Sequence, residues 1–299
     1  MAAARQPLPG ISWFDVDDPA SPALDDLAAS FSLHPLQIED CRHGRQRAKT
    51  EEHDTYIFSV LKLLRPEKKQ LFVDFDVFLG SGFLVTVHNG QCGVIEKVCK
   101  RIADMPPGDP RPQRLDWLFY MITDTIVDEY LPLLDEIAEA TVSIEHEVLR
   151  HPEPPVLRRI FEHKRKLIDF RRVTGNMREV ANAIMRRQGG FVGDDLDPYF
   201  RDVYDHLVRV LDLIESYRDI LTGTLDIYLS AVANRTKEVM KVLTLYGTIA
   251  IPLVVITGFF GMNLHLPWAG EPRGALYAVG VMAVSVLVVL AYLNRKRWF

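Results

Sequence analysis

The chain has little with which to do covalent chemistry. Its three cysteines, Cys41, Cys92 and Cys99, are odd in number and lack C-x-x-C spacing, which argues against a disulfide framework and reads as reduced thiols in a cytosolic domain. Cys41-x-His43 is at most half a metal site, with no second ligand pair nearby. Gly80-Ser81-Gly82 is not followed by Gly-Lys-Ser/Thr, so it reads as a turn and not as a phosphate loop. Positive charge is also scarce: 35 Lys and Arg against 40 Asp and Glu leave a net charge of −5, which excludes the basic field of a nucleic-acid binder. The start, MAAARQPLPGISWFDVDD, has no apolar run of signal-peptide length, so the long polar part is expected to stay in the cytoplasm. No nucleophile and base pair stands out, and an enzyme is not expected.

Long apolar runs are missing until Lys241, and then there are two. Val242 to Met262 carries no charge, and its roughly 21 residues at ~1.5 Å each match the ~30 Å hydrocarbon core of a bilayer. Residues 275–293 repeat the pattern at marginal length, and the chain closes on Asn294-Arg295-Lys296-Arg297-Trp298-Phe299. Basic residues just after a crossing mark the cytoplasmic side, so both termini are expected inside a bacterial-type inner membrane, with lipid as a partner.

The polar part divides by pattern. Residues 1–111 mix strand-like runs (ISWFDV, TYIFSVLKLL, LFVDFDVFLG, GFLVTVHN) with short helices, Ser21 and Pro35 marking two helix starts, and predict a cytoplasmic α/β domain. Residues 112–197 predict an antiparallel pair of oppositely charged helices over 115–149 and 156–187. Pro198 then opens one long helix that runs without a stop into the first crossing and ends near Met262. An extracytoplasmic loop, 263–274, precedes the second crossing. The expected fold is therefore an α/β domain followed by long helices and a two-helix transmembrane hairpin.

Read at a spacing of seven, the long helix shows Asp226, Ala233, Met240, Gly247, Val254 and Gly261; four residues on lie Ser230, Lys237, Thr244, Ile251 and Gly258. This stripe collects small and polar residues, while Leu229, Val232, Leu243, Val255 and Phe259 flank it. Small residues let helices approach closely in a membrane, so a helix seam and a narrow axial pore both satisfy the pattern. Asn263 favours the pore. Asn also ends helices, but a ring of carboxamide oxygens suits a cation that keeps its water, as Mg²⁺ does. The loop offers Glu271, but also His265 and Arg273.

With Gly261-Met262-Asn263 after a Pro-containing crossing, a second crossing ending in RKRWF, and the stretches YFRDVYDH, LDIYLSAVANRT, EVMKVLT and HPLQIEDCRHGRQRAK, the chain resembles the CorA family of divalent-cation channels from about His34 to Phe299. The resemblance implies a funnel-shaped homopentamer that takes up Mg²⁺, with Co²⁺ or Ni²⁺ tolerated. Gly261, Met262 and Asn263 would be the selectivity filter, and Asp226, Ala233, Lys237, Met240, Thr244, Gly247, Ile251, Val254 and Gly258 would line the pore. Asp40 and Asp202 fall on the family's paired acids that bind regulatory Mg²⁺ between subunits, with Glu39, Asp124 and His206 adjoining. Phe260 replaces a common Tyr, Lys237 stands where a polar uncharged residue is usual, and the outer loop is poorer in acid than is common. Two alternatives stay open: a zinc transporter of the related ZntB branch, and a membrane-anchored sensor or scaffold that does not conduct.

Overall fold

The structure, a computed structural model, describes residues 5–65, 71–106, 108–186, 190–262 and 274–295. The chain divides into two compact units, Met1–Leu225 and Asp226–Phe299. The first begins with β1 (Trp13–Val16), α1 (Pro22–Phe31), α2 (Pro35–His43), β2 (Lys49–Glu52), β3 (Tyr56–Leu64), β4 (Phe72–Gly80), β5 (Leu84–His88) and α3 (Gly93–Ala103). Capping residues fix the first two helix starts. Ser21 Oγ accepts from Ala23 N at 3.3 Å and His34 Nδ1 accepts from Leu36 N at 3.2 Å, each followed by a proline in the first helical turn.

The five strands lie in the order β1-β5-β4-β3-β2, with β1 parallel to β5 and the remaining pairs antiparallel. β4 and β5 form the expected hairpin, in which Gly80 N donates to Phe83 O at 2.9 Å. A Cβ on Gly80 would stand 2.3 Å from the Phe83 ring, so a side chain there would displace the ring. β2, KTEE, has no hydrophobic alternation and was not expected; it pairs as the charged outer strand beside β3. One sheet face buries Tyr56, Phe58, Val60, Phe78, Val85 and Val87 against Leu24, Leu27 and Ile38 of α1 and α2. Elsewhere Phe72, Tyr130 and Phe170 meet ring to ring, and Tyr130 Oη donates to Lys62 O at 2.5 Å.

The sequence predicts one helix over 115–149, but the structure has α4 (Leu115–Asp128) and α5 (Tyr130–Arg150), interrupted at Glu129. Pro132 accounts for the break. It has no N–H to donate to the Asp128 carbonyl and its ring crowds that turn. Then come α6 (Pro154–Met185), whose Arg159 pairs with Glu147 of α5, and α7 (Asp197–Phe260). Arg171 of α6 instead reaches Glu215 of α7 at 2.9 Å. The 64 residues of α7 continue past Gly223 and Pro252 as one helix, and α8 (Gly274–Arg295) follows.

Both α7 and α8 are long and apolar enough to cross a membrane. Within the second unit Leu243, Ile251, Val254, Val255 and Phe259 on α7 are exposed, as are Leu276, Val279, Val284, Leu287 and Val288 on α8. So much uncovered aliphatic surface is stable only against lipid or other copies of the chain.

Candidate metal centre and membrane-spanning stripe

Two i, i+4 pairs place acidic and imidazole ligands side by side. Asp124 and Asp128 share a face of α4, and Asp202 and His206 share a face near the start of α7. One oxygen each of Asp124 and Asp128 and one ring nitrogen of His206 lie within 4.8 Å of one another. His206 Nδ1 is 4.0 Å from Asp128 Oδ1, and its Nε2 is 3.9 Å from Asp202 Oδ2. Asp124 is buried and Asp202 is largely exposed.

Two carboxylates repel each other here, and Arg101 partly neutralises one of them. Burial first, then the charge of Asp128, pushes the Asp124 carboxyl above its ordinary range, although Arg101 Nη1 donates to its Oδ2 at 2.9 Å and opposes the shift. Burial and the nearby Asp124 charge push the Tyr120 hydroxyl up to about 12. His206 Nδ1 is itself buried and makes no hydrogen bond among the described residues. Carboxylate oxygens suit a hard divalent ion that keeps part of its water, and the unbonded imidazole nitrogen adds a donor that Co²⁺ and Ni²⁺ accept well. The donor set can therefore hold a divalent ion, the carboxylates matching Mg²⁺ and the imidazole matching Co²⁺ or Ni²⁺.

The resemblance to the CorA family implies Asp124, Asp202 and His206 as site residues but not Asp128. The spacing Asp124-x-x-x-Asp128, repeated as Asp202-x-x-x-His206, was the available signal. Asp40 and Glu39 stand apart from this group, near the end of α2. Asp40 Oδ1 accepts from Gln46 Nε2 at 2.9 Å and Oδ2 accepts from Lys49 Nζ at 2.9 Å. Glu39 is exposed, 3.8 Å from His43 Nδ1. Asp202 thus stands beside His206, and Asp40 beside Gln46 and Lys49.

On α7, Asp226, Ala233, Lys237, Met240, Thr244, Ile251, Val254 and Gly258 are exposed, and Gly247 is half-buried. Thr244 Oγ donates to Met240 O at 2.8 Å, so its proton is used within the helix and the exposed oxygen keeps lone pairs that can accept. Gly261 and Met262 form the turn that ends α7, with Gly261 N donating to Thr257 O at 2.9 Å. A Cβ on Gly261 would approach Thr257 O to 3.1 Å. Asn263, His265, Glu271 and Arg273 lie outside the described residues.

A model of the CorA-like Mg²⁺ transporter protein family matches residues 9–296. The chain belongs to that family. It is similar to the cobalt/magnesium transport protein CorA of Thermotoga maritima, 35% identical over 272 residues that cover 90% of this chain and 77% of that protein. The solved CorA magnesium transporter of Methanocaldococcus jannaschii has the same fold at a TM-score of 0.83, with 22% identity, covering 96% of this chain and 91% of that one. The ZntB cytoplasmic domain of Vibrio parahaemolyticus is alike in fold alone, at a TM-score of 0.64 and 12% identity, covering 74% of this chain and 88% of that one. A CorA-family chain with an α/β domain, a long helix and two candidate membrane spans is an integral membrane transporter of Mg²⁺, and the zinc-transporting alternative has less support.

Proposed function

We propose that this CorA-family chain forms a homopentameric channel for Mg²⁺, also passing Co²⁺ or Ni²⁺, which internal Mg²⁺ closes by binding between subunits. The observation that carries the reading is the continuity of α7. One helix bears Asp202 and His206 in its first turns and, further on, the stripe from Asp226 to Gly258 that leads to Gly261 and Met262. Support for the cargo comes from the family and from the name of the Thermotoga relative. The stripe lines the path, Thr244 offers acceptor lone pairs to hydrated ions, and Asn263 selects at the outer end. Both termini lie in the cytoplasm.

Influx needs no coupled energy source. A divalent ion gains roughly 4.6 kcal/mol on moving through an inside-negative potential of about 100 mV, at ~2.3 kcal/mol per charge. Mg²⁺ joining Asp40 of one subunit to Asp202 of the next, with Glu39, Asp124 and His206 around it, favours the closed arrangement only as far as it binds that arrangement better. When internal Mg²⁺ falls, the bridge between subunits is lost and the closed state loses its advantage. Purified protein in vesicles tests this with flux of Mg²⁺, Co²⁺ and Zn²⁺ at fixed internal Mg²⁺. Zn²⁺ flux with none for Mg²⁺ would establish the zinc transporter instead, and no divalent flux would establish a scaffold.

A further inference from the structure

Asp40 already holds a cation, one supplied by the chain. Lys49, the first residue of β2, points its Nζ between two carboxylates, 2.9 Å from Asp40 Oδ2 and 2.7 Å from Glu51 Oε1. Three other contacts hold this position. The ammonium stands 5.7 Å from the centre of the Phe58 ring, Gln37 Nε2 donates to Glu51 Oε2 at 3.0 Å, and Gln46 Nε2 donates to Asp40 Oδ1 at 2.9 Å. Lys49 and Asp40 are only 30% and 26% exposed, so solvent screens their pairing incompletely.

Resting on the reading of Asp40 as a regulatory ligand, we infer that Lys49 is a tethered competitor that sets how much internal Mg²⁺ is needed to close the channel. An ion bound directly to Asp40 Oδ2 must displace the ammonium. An ion bound through its own water must share an oxygen that already accepts a strong, charge-assisted hydrogen bond. In either case the intramolecular cation lowers the charge available to Mg²⁺. Its effective concentration is fixed by the fold, whereas that of Mg²⁺ varies with the cell. Removing the ammonium leaves Asp40 and Glu51 facing an empty cation position, which Mg²⁺ can enter.

The experiment uses the full-length protein and two readouts: the Mg²⁺ concentration giving half of the Mg²⁺-induced rise in melting temperature, and that giving half-inhibition of Mg²⁺ influx into vesicles. Lys49→Met should lower both by about fivefold, the upper end for a part-exposed ion pair. Lys49→Arg, which keeps the charge, should restore values near the native ones. Lys49→Gln keeps a donor without the charge; it should behave as Lys49→Met and substitutes for it if that variant does not assemble. Unchanged or raised midpoints in Lys49→Met or Lys49→Gln, alongside a raised midpoint in Asp40→Asn, would overturn the inference while leaving the Asp40 site intact. Unchanged midpoints in Asp40→Asn would overturn the underlying reading itself.

Discussion

Single residues carry the sharpest electrostatic consequences. Asp76 on β4 is enclosed, its Oδ1 makes no hydrogen bond among the described residues, and burial followed by the charge of Asp74 raises its pKa from the ordinary 3.8 to about 7. Between about pH 4 and pH 7 the folded chain keeps a proton that the unfolded chain has lost, so Asp76 makes stability fall as pH rises through that window and adds nothing further above it. In Asp76→Asn that slope should disappear. The melting temperature of the variant relative to the native protein should increase from pH 5 to pH 8, and a constant difference would show that Asp76 does not titrate there. Asp202→Asn removes the exposed acid beside His206 and should raise Mg²⁺ uptake at high internal Mg²⁺, as followed by flux; undiminished feedback inhibition would count against its regulatory role. The buried ion pair of Lys62 and Asp74, cross-strand partners on β3 and β4, is a different case: removing either partner leaves a lone buried charge, so Lys62→Met should destabilise the fold by about 3 kcal/mol or more.

At the scale of elements, local patterns were legible where the backbone period showed in the side chains. β3, β4 and β5 alternate or run apolar, the starts of α1 and α2 carry Ser21-Pro22 and His34-Pro35, and both crossings stand out by length. β2 escaped because a charged outer strand has no apolar face to betray it. The break at Glu129 escaped because Pro132 acts on the turn before it, while the hydrophobic spacing runs on undisturbed. Non-local chemistry escaped altogether: nothing in the local sequence says that Lys49 claims Asp40, or that Asp124 and Asp128 of α4 meet His206 of α7. The α4 and α7 spacings hinted at two shared faces but not at their meeting. Gly80 gives the element-scale prediction. Gly80→Val should lower the melting temperature by disturbing the β4–β5 hairpin, because its Cβ position is already taken by the Phe83 ring. Lys237 belongs to α7 and is exposed. In the proposed channel Lys237 is the one member of the stripe whose charge would oppose Mg²⁺, and a long side chain can carry that charge out of the path; Lys237→Asn should then leave flux little changed, whereas a clear rise in flux would place the ammonium in the path.

At the scale of the whole molecule, family membership, the α/β unit and two exposed apolar helices all point to transport across a membrane. In the proposed regulation the same ion is both cargo and closing ligand, with Lys49 setting the threshold. That claim is tested most directly by Mg²⁺ influx into vesicles holding the purified protein, under an inside-negative potential, without nucleotide, and with internal Mg²⁺ stepped from low to high. The account predicts influx that grows with the potential and is suppressed as internal Mg²⁺ rises. Influx indifferent to internal Mg²⁺, or no Mg²⁺ influx at all, would contradict it.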